Sequence, residues 1–369
     1  MIPTSPFGIN GATLGVRRPT ARVAISGSGG LSSALANAAS IVTDDDPWAA
    51  SLVSILMIAG PAPSVDALEI TVGAPGRVPE VEPGDEGSVS LGYEDEGPEV
   101  VFSGMIESVR RGLGGATRIV LVNGGSALAR FRTRKSYERQ SSGAIVRDLA
   151  AAAGVSAGTI EDGAEFPFYT LDDRRGGWST VAELALRNGF MARIAPSGDL
   201  EFGPGGGSPV QTFRFGEDVL ALDLAERAAP VGAVTMHGEG AAGGEGQDAW
   251  GWLVKDPSTV TGDSGSGAPV RFLADASVRS ADSARDAAAG FLAAANSLRV
   301  TGRLLVLGAP AVTVGSTVEA SGMPDSALDG VFLVTGVRHD YDTRRGFRSR
   351  LSLVAVDDGL GSGSLGGFL

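Results

Sequence analysis

The sequence predicts a mainly β protein with an α+β insert, arranged as two antiparallel β-barrel domains around a small mixed α/β domain. Three observations point there. Short segments alternating apolar and polar residues recur along both ends of the chain, separated by Gly, Pro and Asp clusters. The period switches to a helical one between residues 126 and 205. The length of 369 residues also exceeds what one core usually spans, roughly 250 residues.

In the first barrel domain, residues 1–125, period two is seen in Ala21-Arg22-Val23-Ala24-Ile25, Leu68-Glu69-Ile70-Thr71-Val72 and Gly87-Ser88-Val89-Ser90-Leu91-Gly92-Tyr93. It continues at 99–106 and in Thr117-Arg118-Ile119-Val120-Leu121-Val122. The apolar run 48–59 holds Ser51 and Ser54 and reads as a buried strand or helix. It is short of the roughly 20 residues a spanning helix needs, so no stable membrane insertion is expected.

The mixed domain, residues 126–205, opens with a helix carrying Ile145, Val146, Leu149 and Ala152 on one face, Ser142 as its N-cap and Gly154 at its end. A second helix is marked by a capping-box spacing of Thr180 and Glu183, the face Val181, Leu184 and Ala185, and a closing Gly189. A hairpin follows, 190–194 and 199–202, turning at Pro196-Ser197-Gly198. Beyond the glycine linker 203–207 comes the second barrel domain, 206–356, with strands at 212–215, 232–237, 304–307, 317–320, 331–337 and 349–354. Its helix, 281–298, has Ala284, Ala288, Phe291, Leu292 and Ala295 on one face. Residues 239–268, which include Trp250 and Trp252, read as a surface excursion, and 357–369 as a flexible Gly-rich tail.

Composition narrows the function. Hydrophobic residues make up 43% and charged residues 20%, so real cores can form. A net charge of −13 sets the chain against phosphate backbones, and no direct nucleic-acid partner is expected. Without cysteine there are neither disulfides nor thiolate sites, which fits a reducing cytoplasm. The first 19 residues lack a basic segment followed by an apolar run, so no signal peptide is expected.

The constellations that can carry chemistry each have a plainer reading. His237 and His339 sit at expected strand ends, and His339 with Asp340 and Asp342 has no second histidine nearby in sequence. Residues 262–267, Gly-Asp-Ser-Gly-Ser-Gly, resemble a serine-protease nucleophile loop but lack a strand-to-helix elbow. Carboxylates cluster at Asp44-Asp45-Asp46, Glu94-Asp95-Glu96, Glu161-Asp162, Asp172-Asp173 and Asp357-Asp358, where solvated turns explain them without a paired-carboxyl cleft. No catalytic, cofactor-binding or metal residue is assigned, no cofactor is implied, and an enzyme is not expected. Basic residues gather at Arg130, Arg132, Arg134, Lys135 and Arg139, interleaved with Phe131 and Tyr137, and again at Arg344, Arg345, Arg348 and Arg350. Both read as strands facing acidic partner subunits in preference to single-stranded nucleic acid.

Three stretches carry a resemblance. The run Gly84-Asp85-Glu86-Gly87-Ser88-Val89-Ser90-Leu91-Gly92-Tyr93 followed by Val101-Phe102-Ser103-Gly104-Met105-Ile106 is similar to the first-barrel pattern of phage late-control D tail hub proteins. So is 184–202, a helix ending in Asn188-Gly189 that runs into Gly198-Asp199-Leu200-Glu201-Phe202. The third, 305–353, holds Gly308-Ala309-Pro310, Gly315-Ser316-Thr317-Val318, Gly330-Val331-Phe332-Leu333-Val334 and Val337-Arg338-His339 before Gly346-Phe347. Their order and spacing cover about 330 residues. The hub portion of VgrG spike proteins is similar.

The resemblance implies a structural baseplate hub of a contractile phage tail or phage-like injection system, with two related barrels per chain. It implies a homotrimeric ring adapting a sixfold tail tube to a threefold spike, with tail tube or tube-initiator proteins and a separate trimeric spike protein as partners. The location implied is a virion or injection-particle baseplate, assembled in the bacterial cytoplasm. A tail-associated cell-wall-degrading enzyme is the alternative, and a β-sandwich adhesion module a third reading.

Overall fold

The computed structural model describes residues 17–26, 48–73, 79–238 and 260–356. The expected tail at 357–369 and residues 239–259 of the expected excursion lie outside them, as do Asp44, Asp45, Asp46, Asp357 and Asp358.

Alternation becomes strand where it was expected. Strands β1 (Pro19–Ser26), β2 (Leu52–Ala59), β3 (Ala67–Val72), β4 (Glu86–Tyr93), β5 (Gly97–Arg111) and β6 (Thr117–Val122) pair antiparallel in the order β1-β4-β5-β6-β3-β2. The apolar run 48–59 resolves as strand β2 preceded by a turn in which Trp48 is buried. Every second residue points inward, as Leu68, Ile70 and Val72 do on β3, all at most 1% exposed.

The second set of strands does not form a sheet of its own. β12 (Gln211–Arg214), β13 (Val219–Glu226), β17 (Val300–Leu307), β18 (Thr317–Ser321), β19 (Gly330–Asp342) and β20 (Gly346–Ala355) continue the first set through a β2–β19 pairing, with Met57 opposite His339. The result is one 12-stranded sheet. The expected pair of closed barrels is therefore not what the pairing describes: among the described residues neither half closes on itself. The reason lies in the core. Inward residues from both halves, such as Ile70, Leu91 and Leu121 with Leu304, Phe332 and Leu351, share one hydrophobic cluster, so the sheet curls around a common interior.

A second cluster belongs to helices α1 (Gly124–Arg130), α2 (Ser142–Ala152) and α3 (Gly177–Asn188) with strands β7 (Lys135–Ser141), β8 (Ala157–Ile160), β9 (Glu165–Leu171), β10 (Met191–Ile194) and β11 (Leu200–Gly203). The hairpin β10–β11 turns where expected, pairing Ile194 with Leu200. Two caps differ from the sequence reading. The N-cap of α2 is Ser141, whose hydroxyl accepts the Ala144 N–H, whereas Ser142 is buried and donates to the Ala164 carbonyl. Helix α3 starts three residues before Thr180, and no Thr180–Glu183 capping box forms. Its N-cap is Gly176, because a Cβ there would lie 2.4 Å from the Ala129 carbonyl oxygen at the end of α1. Gly189 ends α3 in the left-handed region at φ 64°.

The third cluster joins α4 (Ala281–Asn296) to a three-stranded sheet of β14 (Ala233–Gly238), β15 (Thr261–Gly265) and β16 (Val270–Asp275). Ala284, Ala288, Phe291, Leu292 and Ala295 face this sheet as their spacing requires. Part of the expected excursion is thus strand β15, whose Thr-Gly-Asp-Ser-Gly sequence hides its role. Its small residues are the price of a close helix: a Cβ on Gly262 would lie 2.2 Å from the Arg285 backbone nitrogen. Since backbone cannot yield there, Gly262→Ala is expected to cost about 1–3 kcal/mol and to loosen α4. Urea denaturation checks this; an unchanged midpoint would contradict the close packing.

Candidate assembly surfaces

The curled sheet leaves edges and an outer face. Among the described residues β13 pairs along its length with β17 alone and presents an open row of backbone groups on its other side. At the β13 edge stand the exposed apolar side chains Phe215, bridged to Val219, and Leu220. On the outer face, Arg338 is held by Asp340 on the same strand, with two contacts of 2.9 Å, and lies opposite Arg350.

Where the mixed segment meets the sheet, polar groups are buried at the seam. Asp66 accepts from the Gly60 N–H at 2.9 Å and from Asn123 Nδ2 at 2.6 Å, and Asn123 caps α1 by accepting from Gly125 N–H. The indole of Trp178 donates to the Ser64 carbonyl at 2.7 Å, and Ala62 N–H to the Ala192 carbonyl at 2.8 Å. A cavity of about 150 Å3 lies here, lined by Met57, Asp66, Asn123, Arg193, Glu201 and His339 among others. Burial pushes the Asp66 carboxyl up from 3.8 to about 7, against the pull of its Gly60 and Asn123 hydrogen bonds. His339 is fully buried; desolvation lowers it from 6.5 to about 4, opposed by the charge of Asp340. Its Nδ1 bonds Ser349 Oγ at 2.8 Å, and its Nε2 has no hydrogen-bond partner among the described residues.

A second polar seam ties the mixed segment to the α4 sheet. Arg187 of α3 bridges Glu183 at 2.5 Å and Asp275 at 2.7 Å, and also bonds Ser277. Its guanidinium lies 5.5 Å from the Tyr169 ring centroid and 5.8 Å from that of Phe166.

The sequence-derived candidates scatter. His339 lies within β19, not at its end, because the strand runs on to Asp342; it faces inward while Asp340 faces outward to Arg338, and Asp342 accepts the N–H groups of Arg344 and Arg345 in the turn. His237 bonds Thr261 Oγ1 at 2.9 Å across β14–β15. Among the described residues no group of three His, Asp or Glu is placed to hold a metal ion. Residues 262–267 form most of β15 and the turn after it, with Asp263 accepting from Thr235. The carboxylates find local partners: Asp162 with Arg147, Asp172 with Arg174, Asp173 with Arg134, Glu94 and Glu96 with Arg18 and Arg17. The first basic cluster is not one strand. Arg130 ends α1 and pairs with Glu107 at 2.6 Å, whereas Lys135 opens β7 and pairs with Asp148 at 2.8 Å. The seam around Asp66 and Trp178 was not singled out in the sequence, since single buried polar residues carry no spacing signal. No helix among the described residues is long and apolar enough to cross a membrane.

A mainly β chain with this curled sheet and inserted mixed segment has the fold of phage tail proteins. The 43 kDa tail protein of prophage MuSo2 from Shewanella oneidensis superposes with a TM-score of 0.62 at 13% identity, over 82% of this chain and 94% of that one. A tail protein from Neisseria meningitidis MC58 gives 0.60 at 14% identity, over 82% and 92%. An Escherichia coli component of the type VI secretion system, described as structurally similar to the T4 bacteriophage tail proteins gp27 and gp5, gives 0.53 at 12% identity, over 84% and 74%. No family model matches the chain, and no curated protein matches it. The tail-hub resemblance read from the sequence and the fold thus agree.

Proposed function

We propose that this chain is a structural baseplate hub of a contractile phage tail or phage-like injection system, acting by shape and self-association. Three copies form a ring that adapts a sixfold tail tube to a threefold spike, with tube-side proteins and a separate trimeric spike as partners. The observation that carries the reading is the likeness of fold to a prophage tail protein over 82% of this chain and 94% of that one. The edge that β13 leaves open among the described residues supports it physically, since an edge strand left unpaired in a monomer templates association and a closed ring removes it. In this reading the two halves of the large sheet, within residues 1–125 and 206–356, supply two similar units per chain, and 126–205 sits between them.

Native mass measurement with electron microscopy of the purified full chain tests it. The expected result is an annular particle of three times the 37.3 kDa chain mass, alone or with the candidate spike. A monomer at every concentration, with and without that partner, overturns the ring. Turnover of purified cell wall by the chain, lost on changing one carboxylate, would favour the enzymatic alternative.

A further inference from the structure

The two halves of the large sheet repeat one pairing scheme. In the first, β1 pairs with β4, and β4–β5, β5–β6, β6–β3 and β3–β2 follow; in the second, β12 pairs with β18, and β18–β19, β19–β20, β20–β17 and β17–β13 follow. The six strands of each half thus correspond in chain order. Only the first pair differs, antiparallel in β1–β4 and parallel in β12–β18. The register slips coincide as well. One falls between Leu52 and Ser54 on β2 and between Val219 and Ala221 on β13, another between Ile106 and Ser108 on β5 and between Val334 and Gly336 on β19. Such slips pin register, so they align the halves residue by residue: Val109 of β5 with Val337 of β19, and Ala59 of β2 with Glu226 of β13.

One joint between two such units is already present in the chain. Strand β2 of the first half pairs antiparallel with the C-terminal part of β19 in the second, Ala59 opposite Val337 and Met57 opposite His339. The counterparts of these strands stand open. Among the described residues β13, the counterpart of β2, pairs along its length with β17 alone, and β5, the counterpart of β19, pairs beyond Ile106 with β6 alone. Leu113, at the tip of the β5–β6 turn, is fully exposed, and Leu220 of β13 is half exposed. Arg110 of β5 and Asp223 and Glu226 of β13 are exposed and make no side-chain hydrogen bond or ion pair among the described residues.

We propose that β13 of one copy pairs antiparallel with the C-terminal part of β5 in the next copy, repeating between chains the β2–β19 joint found within one. The alignment sets the register: Glu226 opposite Val109, Ala225 opposite Arg110 and Leu224 opposite Arg111. Arg110 and Asp223 then stand diagonally on one face, within reach of an ion pair. The β5–β6 hairpin is the shorter of the two, spanning Val109–Ile119 where β19–β20 spans Val337–Leu351, so its tip Leu113 meets Leu222 as Tyr341 meets Ile55 within the chain. The occupant is a second copy because each chain carries both partners of the joint and does not join them to each other. A contact between two different patches of one chain runs head to tail and closes into a ring when the rotation allows. The contact rests on the ring reading above and names the strands that join its subunits.

The chain has no cysteine, so an introduced pair reports this contact alone. Opposite residues of an antiparallel ladder lie about 4.5–5.5 Å apart at Cα, a span that a disulfide bridges. Arg110→Cys with Ala225→Cys in the full chain is expected to give covalent dimers and a covalent trimer on oxidation, read by denaturing electrophoresis, whereas either single variant gives no trimer. Ile58→Cys with Arg338→Cys, opposite each other in the joint within the chain, is the control and links without raising the mass. Leu113→Asp is expected to raise the concentration for half-assembly about tenfold or more, through loss of one buried leucine per contact. Its circular dichroism and thermal midpoint should match the wild type, because the side chain lies outside every core. A wild-type ring whose Arg110→Cys, Ala225→Cys variant fails to cross-link while the control links, or links only within one chain, overturns this contact and leaves the ring reading standing. A wild type that forms no ring, alone or with its spike, overturns both. A Leu113→Asp chain that keeps the ring but loses a tube-side or spike protein overturns the contact in favour of that partner at these strands.

Discussion

Trp178→Ala is expected to lower stability by about 3–5 kcal/mol and to free the mixed segment from the large sheet. The side chain is 1% exposed in the first turn of α3, where it fills space against α1: a Cβ on Gly125 would meet its Nε1 at 3.2 Å. It also reaches the turn between β2 and β3, donating its N–H to the Ser64 carbonyl. Truncation therefore opens a cavity among three segments and leaves a carbonyl at the seam without its donor. Trp178→Phe separates the two effects. It keeps most of the apolar volume and loses the hydrogen bond, so a cost of about 1–2 kcal/mol is expected. Urea denaturation measures both, and limited proteolysis reports the release: cleavage within residues 126–205 should accelerate in the alanine variant. An alanine variant within 1 kcal/mol of the wild type would show that the tryptophan does not hold the seam.

That seam also marks the boundary of what the sequence made legible. Strands with one buried face announce themselves by alternation, and β3, β4 and β6 were bounded to within a residue because Leu68, Ile70, Val89, Leu91, Ile119 and Leu121 recur at period two. Helix α4 was readable from its alanine face, and α3 from Gly189. What joins distant segments had no local period. The β2–β19 pairing that merges the two expected barrels connects residues 278 to 288 positions apart, and either strand reads the same whether it closes its own barrel or bridges to the other. Strand β13 was missed although its Val219-Leu220-Ala221-Leu222-Asp223-Leu224 run is apolar, because as an edge strand it mixes half-buried and exposed positions. Strand β15 was missed because glycine at its helix contact removes the apolar signal altogether. The capping box at Thr180 and Glu183 was a false signal: the spacing was right, but a close approach to α1 set the helix start at Gly176, and Glu183 serves Arg175 and Arg187 instead.

The chemistry of the seam yields a pH dependence whose two parts oppose each other. Asp66 titrates near 7 in the fold and near 3.8 when unfolded, so its contribution is fully present below pH 3.8 and is lost as pH rises through 7. His339 titrates near 4 in the fold and near 6.5 when unfolded, so its contribution is present above pH 6.5 and is lost as pH falls through 4. Between pH 4 and 6.5, unfolding releases a proton from Asp66 and takes one up on His339, and the two slopes cancel. Each variant should therefore unmask the other group. His339→Phe, which keeps a ring beside Phe347, is expected to tilt the profile by about 1.4 kcal/mol per pH unit across this window, losing stability as pH rises relative to the wild type. Asp66→Asn is expected to tilt it equally the other way, gaining relative to the wild type as pH rises from 4 to 7. The slope difference is the readout, because any offset from lost packing or from the Asn123 hydrogen bond is constant with pH. Parallel profiles for wild type and both variants would mean that neither group is buried in the way the fold places it. Since the same two side chains line one cavity between the mixed segment and both halves of the sheet, the tilt also reports whether that seam stays closed when the chain is placed in its assembly: a variant slope that disappears on assembly would show that docking opens the seam to water.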